Sequence, residues 1–305
     1  MGHYRIARCS VNKVLFNDWG FPAERMFLAA GPCSAESEQQ ILETAHALAG
    51  RNVGFLRAGL WKPRTRPGSF EGVGPEGLEW MVRARSETGL KIGTEVADPS
   101  HVEHCLKWKM DILWIGARTT TNPFSVQAVA DALKGTDVPV LVKNPMTPDV
   151  GLWLGAIERL AHAGVRRIGA IHRGVGSSME MRYRNAPCWT MPIELKRQLP
   201  ELPLLCDPSH ICGKAELIPA IAQEAMDLLF EKEVPGMAEA MRAASLSITP
   251  KAVISRGRAG IRGQSLIVNL PGSRKGALEN ISVLLPALEH ALEKIKGSSA
   301  DCAEG

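Results

Sequence analysis

The chain has 305 residues, 45% of them hydrophobic and 22% charged, an ordinary soluble composition able to bury a core. Its formal net charge of +4 is too small to argue for a nucleic-acid partner, and no apolar run approaches the ~18 residues of a membrane span. The N-terminus lacks a charged-then-apolar signal pattern, and seven cysteines (Cys9, Cys33, Cys105, Cys188, Cys206, Cys212 and Cys302) follow no disulfide-framework spacing, so a reduced, cytoplasmic protein is expected.

Residues 1–25 are expected to form a small lid over the bottom of the main domain. Short apolar runs then recur at Phe27–Ala30, Phe55–Ala58, Lys91–Thr94, Ile112–Ile115, Val140–Lys143, Arg167–Ile171 and Leu204–Asp207. Amphipathic stretches lie between them, among them Glu38–Ala49, Gly77–Thr88, Ser125–Leu133 and Leu152–Ala163. Alternating strand and helix predicts a parallel sheet with helices outside, and seven such units approach the eight of a closed (β/α)8 TIM barrel. Each strand candidate runs at once into polar, Gly- or Pro-rich sequence: GPCSAES, RAGLWKPRT, TEVADPS, GARTTTNP, KNPMTPD, HRGVGS and DPSHICGK. In a parallel barrel these tips converge on one face, where active sites lie.

The pattern breaks near residue 228, where no eighth strand arrives. A helical run, LFEKEVPGMAEAMRAAS, is followed by two strand-like runs (residues 252–256 and 266–270) around a Gly/Arg loop, and then by the helix ALENISVLLPALEHALEKIK. The expected organisation is a barrel over residues 1–227, a smaller α/β segment over 228–297 and a disordered tail over 298–305.

Arg57, Lys62, Arg64, Arg118, Lys143 and Arg173 all fall at or just past strand ends. Six cations aimed at one face repel one another unless anions come between them, and guanidinium and ammonium groups suit phosphate and carboxylate. Cys33 follows the first strand and His210 the seventh; thiolate and imidazole together suit a divalent ion such as Mn, Fe, Co or Zn. Each alone is more often structural, and two further ligands, usually carboxylates, would be needed. His172, beside Arg173, is a weaker catalytic candidate, and Glu95, at the third strand's end, is placed to orient water or a cation. His3, His101, His104 and His162 fall on helices or the terminus and read as structural or solvated.

The stretches AGPCSAES, RAGLWKPRTRPGSFEGVG, GTEVADPSHVE, DILWIGARTTTNPF, VLVKNP, RRIGAIHRG, RYRNAPCW and CDPSHICGK together resemble the 3-deoxy-7-phosphoheptulonate (DAHP) synthases of the short, barrel-only type, over residues 1–227. The related 3-deoxy-octulosonate 8-phosphate synthases share the barrel, but KPRT at Lys62–Thr65 and Cys33 in GPCS look more like the DAHP branch. The resemblance implies condensation of phosphoenolpyruvate with erythrose 4-phosphate, the first step of the shikimate pathway to aromatic amino acids. It implies that Arg57, Lys62, Arg118, Lys143 and Arg173 hold phosphoenolpyruvate, that Arg64, Thr65 and Thr120 lie toward erythrose phosphate, and that Glu95 and Asp207 belong to the substrate set. Lys62, Arg57 and His172 are the catalytic candidates. A divalent metal on Cys33 and His210 would polarise the aldehyde or activate water. A homo-oligomer is also implied.

Two features depart from that family. It supplies further metal ligands, a Glu on the eighth strand and an Asp after it, and the corresponding strand is absent; Glu231, Glu233 and Glu239 lie nearby in sequence but in a helical pattern. Residues 229–297 instead resemble the C-terminal half of molybdopterin adenylyltransferases, whose NLPGS turn (Asn269–Ser273) suits an anion through exposed N–H groups. The alternatives to an active DAHP synthase are therefore a catalytically impaired phosphate-binding barrel, a fused or chimeric chain whose C-terminal piece drives assembly, and a 3-deoxy-octulosonate 8-phosphate synthase.

Overall fold

The computed structural model describes residues 19, 28–51, 53–62, 68–176, 182–228, 232–255, 257–262, 265–268 and 274–295. The chain divides into two compact units, Met1–Ala215 and Glu216–Gly305. Among the described residues no helix is long and apolar enough to cross a membrane.

In the first unit the elements run β1 (Ala29–Ala30), α1 (Glu38–Leu48), β2 (Phe55–Arg57), α2 (Glu76–Thr88), β3 (Ile92–Val96), α3 (Pro99–Lys107), β4 (Ile112–Ile115), α4 (Ala117–Thr120), α5 (Pro123–Ala132), β5 (Val140–Lys143), α6 (Val150–His162), β6 (Ile168–His172), α7 (Thr190–Gln198), β7 (Leu204–Cys206) and α8 (Pro208–Cys212). The seven strands pair in chain order, every pair parallel, with helices between successive strands. This is the (β/α) barrel architecture, one strand short among the described residues. Several polar strand-end loops serve first as helix caps. Asp98, Asn122, Asp149 and Asp207 each accept a backbone N–H of the following helix. Pro99, Pro123 and Pro208 stand in the first turn, where a missing N–H costs nothing.

Side chains alternate between two faces along each strand. The outer face packs on the helices through Leu56, Ile92, Leu113, Ile115, Val140, Val142, Ile168 and Ala170. The inner face carries Phe55, Ile112, Trp114, Leu141 and Ile171, joined by Trp19, the described residue of the expected lid. Glycines fill inner positions where larger neighbours leave no space: a Cβ on Gly93 would stand 2.6 Å from Ile112 Cγ2 and 2.8 Å from Phe55 Cε2.

In the second unit come α9 (Ile218–Asp227), β8 (Lys232–Glu233), α10 (Pro235–Ile248), β9 (Ala259–Arg262), β10 (Ser265–Val268) and α11 (Arg274–Ile295). Its strands form a separate antiparallel sheet in the order β10-β9-β8. Two expectations fail. Glu233, expected in a helical run, lies in β8, and the helix begins only at Pro235. Residues 250–254 form a 3-10 turn where the sequence pattern suggests strand, because Thr249 caps it by accepting the Lys251 N–H and Pro250 opens it. The strand starts instead at Ala259, inside the Gly/Arg stretch, and pairs with β10; among the described residues neither run supplies an eighth parallel strand. The Asn269–Ser273 turn, Glu231, most of residues 1–25 and the tail lie outside the described residues.

The same alternation decides His172. Ile171 and Arg173 point inward, so His172 points out, against Trp153 and Trp189, with ring centroids 6.3 and 5.3 Å away. The Pro187 carbonyl, 2.6 Å away, can only accept, so Nε2 carries the proton; Nδ1 is buried without a partner. Burial drops the imidazole to about pKa 4, outweighing the Pro187 contact that favours the charged form. The folded state thus resists a proton that the unfolded chain accepts near pH 6.5. Stability from this site is full above that pH and falls as pH drops from 6.5 toward 4, by about 3 kcal/mol. Urea titrations at pH 7, 6 and 5 are expected to show a shallower acid slope for His172→Gln than for the parent; equal slopes would contradict the assignment. Gly93→Ala is expected to lower unfolding free energy by about 1–3 kcal/mol in the same assay, through overpacking of the inner face.

Candidate active site

Alternation also aims the charges. Arg57 ends β2 two residues after inward Phe55, Glu95 follows Gly93 on β3, Lys143 ends β5 after Leu141, Arg173 follows Ile171 and Asp207 follows Leu205. All five point to the inner face at the C-terminal end of the sheet. Trp114 is their floor: the Arg57 guanidinium lies 5.0 Å and Lys143 Nζ 5.9 Å from its ring centroid, and its Nε1 donates to Glu95 Oε2 at 2.8 Å. Cations over an indole face are held without being neutralised.

Asp207 links β5 to α8. Its Oδ2 stands 3.4 Å from Lys143 Nζ and 2.7 Å from His210 Nδ1. Oδ1 accepts from Ser209 Oγ at 2.8 Å and the His210 N–H at 3.1 Å. Burial alone would raise this carboxyl, but His210, Lys143 and Arg57 outweigh it and hold the pKa well below the usual carboxylate range. Asp207 is therefore an anion at any physiological pH.

Arg173 is 6% exposed. Its Nη1 donates to Asn185 Oδ1 at 2.9 Å, with longer contacts at 3.4 Å to Met146 Sδ and the Gly174 carbonyl. Burial, with the like charges of Arg184 and Arg118, lowers its pKa, opposed by Asp207 and Glu95. A guanidinium nonetheless stays protonated. Arg118 lies on α4, exposed. Thr120, on the same turn, is buried, and its hydroxyl donates to the Lys143 carbonyl at 2.9 Å, bracing β5. Arg64 and Thr65 lie outside the described residues.

Cys33 Sγ is 3.9 Å from His210 Nε2 and 3.4 Å from Lys62 Nζ, which also donates to the Cys33 carbonyl. The His210 contact lowers the thiol to about pKa 6, against the effect of burial and with help from Lys62 and Arg57. Burial pushes Lys62 down, and Cys33 and Glu95 push it back. A separation of 3.9 Å can be bridged by one ion with bonds of ~2.3 Å to sulfur and ~2.1 Å to nitrogen. Among the described residues, however, no group of three or more His, Cys, Asp or Glu is placed to hold a metal. Glu233 instead pairs with Arg258 at 2.9 Å. The described residues fit two ligands of a divalent site and not a complete set.

The site thus gathers Arg57, Lys62, Glu95, Arg118, Lys143, Arg173 and Asp207, with Cys33 and His210 at its edge. His172 is turned away from it. Three contributors escaped the sequence: Trp114, whose place follows from strand alternation, and the buried amides Asn144 and Asn185. Asn144 Oδ1 accepts the Arg173 N–H at 2.7 Å, and its position straight after Lys143 was a usable signal. Asn185 sits in an irregular segment that gives none.

A model of the DAHP synthetase I family matches residues 22–242. The phospho-2-dehydro-3-deoxyheptonate aldolase of Thermotoga maritima is 32% identical over 199 residues, covering 65% of this chain and 57% of that protein. A crystal structure of the Thermotoga maritima enzyme superposes with a TM-score of 0.57 at 31% identity, over 65% of this chain and 55% of that one. The 2-dehydro-3-deoxyphosphooctonate aldolase of Nitratidesulfovibrio vulgaris is 32% identical over 177 residues, 54% of this chain and 62% of that protein. A C-terminal segment is similar to the molybdopterin adenylyltransferase of Helicobacter pylori, 38% identical over 86 residues, 28% of this chain and 49% of that protein. The chain therefore spans less than two thirds of the length of each of these relatives. With a family model covering the seven parallel strands and all their charged tips, the chain belongs to the DAHP synthetase I family.

Proposed function

We propose that the first unit is an aldolase-type transferase that condenses phosphoenolpyruvate with erythrose 4-phosphate to give DAHP and inorganic phosphate. The observation that carries this is the convergence of Arg57, Lys143 and Arg173 on the inner face of three strands, above Trp114, with the Glu95 and Asp207 carboxylates beside them. Two carboxylates, Glu95 and Asp207, cannot neutralise the five cations Arg57, Lys62, Arg118, Lys143 and Arg173, so the cluster favours a multiply charged anion. Phosphoenolpyruvate carries both phosphate and carboxylate, and fork-shaped guanidinium groups match both.

In this reading Arg57, Lys62, Arg118, Lys143 and Arg173 hold phosphoenolpyruvate. The C3 carbon of the enol attacks the aldehyde carbon, and the new alkoxide takes a proton. Water adds at C2, and the C2–O bond breaks to release phosphate and leave a ketone. The fixed cations hold the two reacting carbons together and stabilise charge as it moves from enol ester to free phosphate. The family generally uses a divalent metal; with only Cys33 and His210 available among the described residues, no step here is routed through one. The proposal includes a cytoplasmic location and a homo-oligomeric state.

The test is loss of enol absorbance when purified protein and phosphoenolpyruvate meet erythrose 4-phosphate or arabinose 5-phosphate, with and without added Mn2+. Consumption with erythrose 4-phosphate is expected to exceed that with arabinose 5-phosphate, and Lys143→Ala to lower kcat/KM about a hundredfold. Preference for arabinose 5-phosphate would move the assignment to the octulosonate branch. No consumption with either aldehyde would contradict turnover and leave a phosphate-binding barrel.

A further inference from the structure

Asn185 is 4% exposed and lies where three parts of the first unit meet. Its backbone N–H donates to the Ile211 carbonyl at 3.0 Å, and the preceding Arg184 N–H donates to the Cys212 carbonyl at 3.2 Å, so the segment is laced to the end of α8. Gly174 allows this approach: at φ +76°, a Cβ there would stand 2.7 Å from the Ala186 carbonyl and 3.1 Å from Asn185 Cβ. The side-chain amide then faces two ways. Oδ1 accepts from Arg173 Nη1 at 2.9 Å, and Nδ2 donates to the His210 carbonyl at 2.5 Å.

The chemistry of that bridge is specific. Among the described residues no carboxylate pairs directly with the Arg173 guanidinium. An amide oxygen orients it and adds no negative charge; a carboxylate in the same place would orient it equally well and cancel the charge. The other end of the amide ties the guanidinium to α8, whose His210 stands by Cys33 and Asp207. Asn144 performs the complementary task on the backbone, accepting the Arg173 N–H and donating to the Gly174 carbonyl at 2.8 Å. Two neutral amides thus fix both ends of one buried cation.

We infer that Asn185 is a positioning residue for the anionic substrate: it aims the Arg173 guanidinium into the site without pairing it to a carboxylate and holds it in register with α8. This rests on the reading of the cation cluster as the phosphoenolpyruvate site. A residue that merely filled space would tolerate the near-isosteric Asn185→Asp better than Asn185→Ala. A positioning role reverses that order, because the new carboxylate competes with the substrate for Arg173.

The experiment is calorimetric titration of phosphoenolpyruvate into the full chain and into Asn185→Ala and Asn185→Asp, with thermal melts confirming that each is folded. Loss of one hydrogen bond to a charged group is expected to weaken binding about tenfold in Asn185→Ala, and the added charge about a hundredfold in Asn185→Asp. Affinity within twofold of the parent in Asn185→Ala, or Asn185→Asp binding as well as Asn185→Ala, would overturn the inference while leaving the phosphoenolpyruvate site standing. If Asn185→Asp does not fold, Asn185→Ala alone decides by the same twofold criterion. A parent protein that takes up no phosphoenolpyruvate at millimolar concentration would overturn the underlying reading and this inference with it.

Discussion

The Asp207 carboxylate is the constraint on which the rest of the site depends. Lys143 is 4% exposed and Arg173 6%, and two cations so deep in a protein are costly unless something answers their charge. Asp207 is the answering anion, held ionised by the same groups it serves: His210, Lys143 and Arg57. It also caps α8, so fixing the carboxylate fixes the helix that carries His210. The compensation is partial. Lys143 has a carboxylate, Arg57 has the Trp114 face and the Pro32 carbonyl, and Arg173 has neutral amides. What remains is a pre-arranged excess of positive charge, which is what a dianion requires of a site that must not reorganise as it binds.

Much of this is legible in the sequence. Apolar runs bounded by Gly, Pro and charged residues locate all seven strands to within a residue or two, because buried parallel strands have little freedom in composition. The cations at their tips are legible for the same reason: Arg57 and Lys143 directly follow the apolar residues that form β2 and β5. Two-residue alternation, applied consistently along β6, also sends His172 to the helix side, away from the charged tips. Asp98, Asn122 and Asp149 illustrate the opposite hazard, since polar strand-end residues that look like site linings are helix caps. Thr120 braces β5 through a backbone carbonyl, a partner that no side-chain pattern reports. Asn185 is illegible in principle. It reaches Arg173 through an irregular segment whose path depends on Gly174 and on α8, and that path exists only in three dimensions.

The two units differ in what they contribute. The family match runs to residue 242, past the boundary at Ala215, and the C-terminal segment is similar to part of a different enzyme. Among the described residues the strands of the second unit form an antiparallel sheet of their own. Cys33 and His210 are correspondingly a pair of ligands without a full set: their separation suits one ion, their electrostatics keep the thiol low, and the described residues offer no third donor. The described residues of the cation cluster proposed to hold phosphoenolpyruvate all belong to the first unit.

The location of bound phosphoenolpyruvate tests the central claim most directly. A crystal of the full chain soaked in phosphoenolpyruvate should show the ligand above Trp114 at the C-terminal end of the sheet, with its phosphate and carboxylate oxygens on Arg57, Lys143 and Arg173 and with Asp207 still against Lys143. Ligand found elsewhere on the molecule, or a cation cluster left empty in crystals saturated with it, would contradict the account.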